Sequence, residues 1–576
     1  MTRSRPLTRL VPAALLVSVA LMACNHQGTP PAERGNALVL GPVQSPYFDA
    51  LRPSLNLVQY TGSQNVNDYD VLVFDGDAQS PQALQADPLV DQAMRAGKWV
   101  LGLDVTEDHK QTGFGGRLGA VNRGTSPGWM VRVDSDANGH PEVWMVDAPT
   151  PQAPSTSPLP PRIAGDATDL LNASTSAYAR TVMTRLRAPL TEVGDTPIPP
   201  PGLIAATYHY TKSKNYPFKG TYQGSGTQTT NAQYDYVFHV YLDNSGNPQG
   251  DFQWVVVEAE VDGNPTSGDK VNFPFANMGF SEKAWFLDKQ TVSIKPSADS
   301  DSLLTSFSNG TPATANNVTT VTSGETFTVT YNAAQGPGAS FTYNNTVSKP
   351  LADWKVSNES SGNAFAWNYR SNYPLDADSE ASYSCTAGFS SCPPAFRKEY
   401  SLILPNQPNG IATSSLALHT EAVWKTNSVL TQQVTFELGG SQGLADLYGE
   451  VKDGAPHGDH LRYDVDYTDT FTIDMSTTLP IPLTLSFDSL SVKAGSAVTG
   501  TITLDSPAFY DTVIQLQSTD TVHAPVDSTV TVPRNQKTAS FVIHTDPSGA
   551  APGSVFKPTI RAFYGKFTDV QLTITN

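Results

Sequence analysis

The apolar positions of the chain change pattern three times. Behind Arg3, Arg5 and Arg9, an apolar run extends from Leu10 through Val11, Leu15, Leu16, Val17, Val19 and Leu21. That run is shorter than the ~20 residues a bilayer-spanning helix needs, so residues 1–23 read as an export signal. A polar stretch with Pro30 and Pro31 follows as a tether over 24–35. Continuous apolar blocks then appear at Ala37–Leu40, Val71–Phe74 and Trp99–Leu103, with helical spacing over Leu84–Ala96 ending at Gly97. Such blocks alternating with a helix predict an α/β unit with a parallel sheet covered on both faces. A proline-rich insertion (Pro149 to Pro161) leads to a predicted helix over 166–188, whose apolar side is Leu170, Leu171, Ala177, Val182 and Leu186. After Pro197 and Pro199–Pro201 the period becomes two. Tyr236–Tyr241 and Trp254–Val257 read as strands joined by a turn at Asn244–Asn247. In the last hundred residues, Leu483–Phe487, Val498–Leu504, Val513–Leu516, Val530–Val532 and Phe541–Ile543 recur at the spacing of a β-sandwich. The reading is multidomain: an N-terminal α/β domain (36–190), a large, mainly antiparallel β domain (203–476) and a C-terminal β-sandwich (478–576).

Charge narrows the partners. Lys and Arg number 36 against 54 Asp and Glu, a net charge of −18. Nucleic acid demands concentrated positive charge and is excluded as a partner. The three cysteines fit an exported protein. Leu21-Met22-Ala23-Cys24 resembles a bacterial lipobox, which implies cleavage before Cys24 and lipid on its thiol. The alternative is an ordinary signal with a chance cysteine. The expected location is the bacterial cell surface or outer membrane, held by lipid, with release as a further option. Cys385 and Cys392 then remain for a disulfide in an oxidising compartment.

Sites for covalent chemistry are weak. Gly124-Thr125-Ser126-Pro127-Gly128 matches G-x-S-x-G, but Pro127 lacks the N–H that an oxyanion hole takes from that position. Gly113–Gly119 is glycine-rich without the preceding strand of a dinucleotide site. Asp75, Asp77, Asp104, Glu107, Asp108 and His109 sit where parallel sheets bind ligands, and where exposed strand ends also collect acids. The α/β unit resembles amidotransferase-like domains, yet it carries no cysteine nucleophile. His457, Asp459, His460, Asp464 and Asp466 match no strong metal motif. No catalytic residue, no metal ligand and no cofactor is expected, and the chain reads as a non-enzyme.

Short landmarks in the middle domain carry a resemblance. Ser306-Phe307-Ser308-Asn309-Gly310 opens a Thr- and Gly-rich stretch. It is followed by Phe341-Thr342-Tyr343, Trp354-Lys355-Val356, Asn363–Arg370, Gly388-Phe389-Ser390 with Pro394 and Phe396, and Tyr467–Asp474. Over about 205–476 this order resembles the leukocidin/hemolysin family of β-barrel pore-forming toxins. The resemblance implies a homo-oligomer that inserts one hairpin stem per subunit into a lipid bilayer. Residues 318–347 have the required alternation: Phe327, Val329 and Tyr331, then Phe341 and Tyr343, separated by Thr, Ser and Asn. Any exposed antiparallel hairpin alternates similarly. It also implies a rim segment at Trp354, Trp367, Tyr369 and Arg370, where a phosphocholine headgroup would meet aromatic faces; the alternative is that these aromatics fill a β core. Val532–Phe541 resembles a segment of bacterial immunoglobulin-like surface modules, which space or stick. The competing reading is a lipid-anchored surface adhesin or binding protein that keeps the fold without a pore.

Overall fold

The computed structural model describes residues 34–149, 167–187, 197–219, 227–244, 250–264, 271–274, 279–315, 320–333, 336–350, 354–371, 382–385, 400–403, 416–452, 455–548 and 551–576. Cys24 and Cys392, and with them the lipidation and disulfide expectations, lie outside these residues.

One sheet organises the chain. Its strands are β1 (Gly35–Leu40), β2 (Leu55–Gln59), β3 (Val71–Asp75), β4 (Trp99–Val105), β6 (Ser126–Ser135), β7 (Pro141–Asp147), β8 (Ala205–Lys219), β9 (Thr227–Asp243), β10 (Phe252–Asn264), β13 (Leu304–Ser306) and β22 (Leu416–Thr426). They lie in the order β13-β22-β10-β9-β8-β7-β6-β4-β3-β1-β2. β1 to β4 pair in parallel, as their continuous apolar blocks predict. The sheet does not stop at the proline-rich boundary: β7 pairs in parallel with β8, Glu142 opposite Thr207 through Asp147 opposite Lys212. From β8 to β22 the neighbours are antiparallel.

A second sheet contains β5 (Ala120–Asn122), β11 (Val271–Pro274), β12 (Gly279–Pro296), β18 (Trp354–Asn358), β19 (Phe365–Ser371), β23 (Gln433–Lys452) and β24 (Ala455–Asp474). It lies against the first. Phe238 stacks on Phe471 with ring centroids 4.3 Å apart, and Tyr210, Tyr236, Phe436 and Trp424 extend the shared core. The short strand β5 comes from the N-terminal unit but pairs with the end of β24, so the two halves interlock in both layers. The helix predicted over Leu84–Ala96 is two helices, Pro81–Ala86 and Pro88–Arg95, because Asp87 caps the second and Pro88 occupies its first position. The long helix Ala167–Arg187 packs back onto the N-terminal part of the sheet through Tyr178, Val182 and Met183. The remaining small strands are β14 (Thr320–Ser323), β15 (Thr326–Ala333), β16 (Gly336–Asn344), β17 (Val347–Pro350), β20 (Ser382–Cys385) and β21 (Tyr400–Ile403). Strands between Leu483 and Thr575 form three small sheets around a core of their own, containing Val498, Ile502, Ile514 and Ile543. This unit is fastened to the body by the Tyr510 hydroxyl donating to the Leu118 carbonyl and Arg534 donating to the Arg117 carbonyl.

A buried ionic cluster seals the β7–β8 junction. Asp147 receives Lys212 Nζ at 2.5 Å and Asn122 Nδ2 at 3.1 Å, and Lys212 also reaches Asp469 at 3.1 Å. Lys110 Nζ donates to Ser126 Oγ at 2.7 Å and lies 3.5 Å from Asp147. Ser126 opens a strand, and its hydroxyl is taken up by Asp147 and Lys110. Burial pushes the Lys110 ammonium down. Burial acts the same way on Lys212, but the two carboxylates outweigh it and hold that ammonium above its ordinary range. Two cations thus face two anions with no solvent to screen them. Asp147→Asn leaves the buried Lys110 ammonium without a carboxylate and Lys212 with Asp469 alone; we expect a loss of about 3–5 kcal/mol of unfolding free energy, read by denaturant titration.

Candidate functional site

The face of β9, β10 and β22 turned away from the second sheet is partly apolar and partly ionisable. Alternation puts Tyr241, Trp254, Val256 and Val423 on it, with Phe252 and Leu203 at its end. It puts His239, Glu258, His419 and Glu421 on it too, all buried. Glu258 and Glu421 stand directly opposite each other on β10 and β22. Carboxylates so paired repel.

This face is covered by the hairpin β15–β16. Phe327, Val329, Tyr331, Phe341 and Tyr343 all project from one side of the hairpin and are all buried there. Phe327 stacks on Trp254 at 4.5 Å, and Phe341 meets Tyr241 at 5.6 Å. Thr326, Thr328, Ser340, Thr342 and Asn344, on the other side, face solvent. The hairpin is a two-stranded sheet of its own; among the described residues no ladder joins it to the large sheet. Its attachments are side chains and a few end contacts. Thr330 donates from its backbone and hydroxyl to Asp243, and Asn332 donates from its backbone N–H to the Asn244 side-chain oxygen at 3.0 Å and from its side-chain amide to the Asn244 carbonyl at 2.9 Å.

The ionisable groups meet the hairpin at its root. Glu258 Oε1 accepts from the Tyr343 hydroxyl at 2.8 Å and His239 Nε2 at 3.1 Å, while Oε2 faces His419 Nε2 at 3.3 Å. The other ring nitrogens meet hydroxyls, Thr207 at 3.1 Å for His239 and Ser323 at 2.7 Å for His419. With those hydroxyls donating to Nδ1, each ring presents Nε2–H to Glu258. Burial pushes the Glu258 carboxyl up, but the two imidazole hydrogen bonds outweigh it and hold the group below the carboxylate range. Glu421 goes the other way: burial, then the neighbouring charges of Glu258 and Glu325, raise it far above that range. The Glu325 backbone N–H donates to Glu421 at 3.2 Å, and burial raises the Glu325 carboxyl as well. The arrangement ties the cover to the sheet through hydrogen bonds to Glu258, His419 and Glu421. Among the described residues no group of His, Cys, Asp and Glu is placed to hold a metal ion.

The five stem residues are therefore brought together on one face. The rim residues are not. Trp354, Trp367 and Tyr369 are at most 1 % exposed, inside the core between the sheets, and offer no aromatic face to a headgroup; the expectation is corrected on that ground. Period two explains it: Phe365, Trp367 and Tyr369 point inward from β19, while Arg370 falls on the opposite, half-buried face. The groups under the hairpin carry a signal in the sequence. Glu258 directly follows the apolar run Val255-Val256-Val257, and Glu421 directly precedes Ala422-Val423-Trp424. An acid inside a central strand is seldom there for solubility.

No protein-family model and no curated protein matches the chain. Among solved structures, a chain described as a pore-forming protein matches at 12 % identity and TM-score 0.29, over 49 % of this chain and 97 % of that one. Clostridium perfringens delta-toxin matches at 13 % identity and TM-score 0.30, over 50 % of this chain and 98 % of that one. The membrane-inserted form of Clostridium perfringens NetB toxin matches at 10 % identity and TM-score 0.25, over 47 % and 98 %. At these scores the likeness is coarse.

The Tyr343 hydroxyl is the direct bond from the hairpin to the Glu258 carboxylate. Tyr343→Phe removes a donor from a buried anion. We expect it to weaken docking by about 1–3 kcal/mol, seen as loss of amide-exchange protection in 326–344 with the sheet's protection unchanged.

Proposed function

We propose that this chain acts on membranes as a pore-forming, non-enzymatic protein whose hairpin leaves its docked position, and that insertion takes place in a homo-oligomer. The observation that carries this reading is the hairpin itself: an apolar face fully buried against the body, on an element with no ladder to the sheet beneath it. Releasing it breaks side-chain contacts and a few end bonds while the large sheet stays whole. The exposed face is Thr, Ser and Asn, which suits a water-filled lumen once the apolar face turns to lipid.

The register supports a longer element than the docked one. β14 pairs with β17 as Thr320 opposite Pro350 through Ser323 opposite Val347, and β15 with β16 as Thr326 opposite Asn344 through Tyr331 opposite Ala339. Both pairings belong to one continuous register, interrupted only at Gly324 and Glu325. Gly324 has φ +148°, and a Cβ there would lie 1.8 Å from the Asn345 carbonyl oxygen, so only glycine fits the bend. Straightened through Gly324, the arms run over 320–333 and 337–350, longer than the ~10 residues a tilted strand needs to cross a bilayer.

One observation favours the second reading, a surface adhesin that keeps the hairpin docked. The apolar band, Phe327–Tyr331 against Ala339–Tyr343, is roughly 16 Å long at ~3.3 Å per residue. An outer-membrane-type barrel shows an apolar band of about 25 Å. In either case residues 1–23 serve export, the acyl chain on Cys24 tethers the chain to a membrane, and the C-terminal unit works as a spacer.

Dye release from phosphatidylcholine liposomes decides between the two, with a chain lacking residues 1–24. Cysteines placed at Asn244 and Asn332 lock the hairpin to the body. We expect no leakage while the lock is oxidised and leakage after it is reduced. Leakage indifferent to the lock, or none from the unlocked protein across several lipid and sterol mixtures, overturns the pore.

A further inference from the structure

Beneath the hairpin two carboxyl groups stand face to face. Glu258 and Glu421 face each other across adjacent strands, both at most 1 % exposed. Glu258 already takes its hydrogen bonds from His239, His419 and Tyr343. Among the described ion pairs none involves Glu421, and Lys349, the cation of the neighbouring β17, is taken by Glu260 at 3.0 Å. Two opposed carboxylates in a dry site cannot both ionise, so one proton is held between them. Glu258 has the better donors, which leaves the proton on Glu421. What keeps water from the pair is the root of the hairpin: Tyr343 over Glu258, and Ser323, Gly324 and Glu325 over His419 and Glu421.

We infer that the docked hairpin traps a proton on the Glu258–Glu421 pair and that this proton passes to solvent when the hairpin leaves, so that acid holds the hairpin down and rising pH lets it go. The inference rests on the reading that the hairpin leaves, and it names how that step is regulated.

Other titratable and charged groups face the pair from every element packed on it. From the hairpin side, Glu325 is half-buried and hydrogen-bonded by Ser308, and its carboxyl is also raised by burial, so it too releases a proton more readily once uncovered. Tyr331 and Tyr343 are raised phenols, neutral throughout the range. From β9 come His239 and Asp243, and from β22 come His419 and Lys425, the latter lying over the Phe252 ring. From β8, His209 stacks on Trp144, and burial holds it well below the ordinary histidine range, hence neutral. Arg185 of the long helix lies over the other partner of that stack, Trp144. Glu258 is depressed when docked, so its contribution is lost only under strong acid. Glu421 is raised when docked and returns toward about 4.3 in water. Its contribution to docking is therefore complete below that value and falls continuously as pH rises through the neutral range, by up to about tenfold per pH unit for each proton released.

The test is hydrogen exchange of the amides in 326–344 from pH 6 to 8.5, corrected for the intrinsic exchange rate. It is run on the chain lacking residues 1–24, without lipid. We expect the hairpin's opening constant to rise about tenfold per pH unit. Glu421→Gln, which carries no proton to release, should lower that slope by about one proton, and Glu325→Gln by a smaller step. An opening constant that stays flat or falls with pH overturns the inference, whether or not Glu421→Gln folds; so does a full slope in a folded Glu421→Gln. Opening that follows pH in a protein that never releases dye overturns the pore and leaves the proton link standing.

Discussion

A sheet with apolar side chains on both faces must be covered on both, and this requirement shapes the whole chain. Across the eleven strands of the large sheet, several covers answer it: the second sheet with the helices Pro81–Ala86 and Pro88–Arg95 on one side, the helices Pro46–Leu51 and Ala167–Arg187 on the N-terminal part of the other, and the hairpin β15–β16 on the rest. The covers differ in how they are held. The second sheet is tied by a continuous aromatic core and by β5, which crosses from one layer to the other. The hairpin is tied by five apolar side chains and the polar contacts at its two ends. Burying such side chains stabilises the docked state by about 1.5–3 kcal/mol each, enough to hold it and little enough to be reversed when another apolar medium takes the same face.

Two buried ionic groups show the contrast between a permanent joint and a releasable one. At the β7–β8 junction two lysines meet two aspartates, with Ser126, Asn122 and Tyr210 supplying further hydrogen bonds. Charge is balanced, and separating the parts exposes unpaired ions. Under the hairpin, two carboxylates meet two imidazoles that hydrogen-bond only one of them. The surplus carboxyl is stable only while protonated and dry, so its cover and its proton go together. The first cluster joins segments that have no reason to separate; the second lies under the element whose exposure changes what the molecule touches.

Much of the architecture was legible in the sequence, and the rest was hidden for definable reasons. Continuous apolar blocks at Ala37–Leu40, Val71–Phe74 and Trp99–Leu103 gave parallel strands because such strands are buried on both faces. The alternation of Phe327, Val329, Tyr331, Phe341 and Tyr343 located the hairpin and its apolar face. Alternation does not say what a face touches, so a face destined for lipid and one packed on a protein read alike. Trp367 and Tyr369 show the converse: aromatics near an arginine in sequence suggested a headgroup site, while the same period of two sends Arg370 to the other side of the strand. The sheet that passes from β7 to β8 across the proline-rich segments was not legible, because strand pairing over a long connection leaves no local pattern. The carboxylate pair was invisible for the same reason. Glu258 and Glu421 are 163 positions apart in the numbering, and only the β10–β22 register sets them face to face.

The position of Gly324 ties these features into one argument. It lies where the hairpin's two segments break, directly before Glu325, and its backbone conformation closes the bend that drops Ser323 onto His419 and the Glu325 amide onto Glu421. The same register holds on both sides of the bend, so the break costs no re-pairing to undo. On the proposed release, straightening there would lengthen the hairpin and uncover the carboxyl pair in one movement. A side chain at 324 would clash with the Asn345 carbonyl in the bent form alone, which makes this glycine a determinant of docking with no contact to the apolar face. The bend also sets Glu325 and Asn345 at the inner limit of the apolar band.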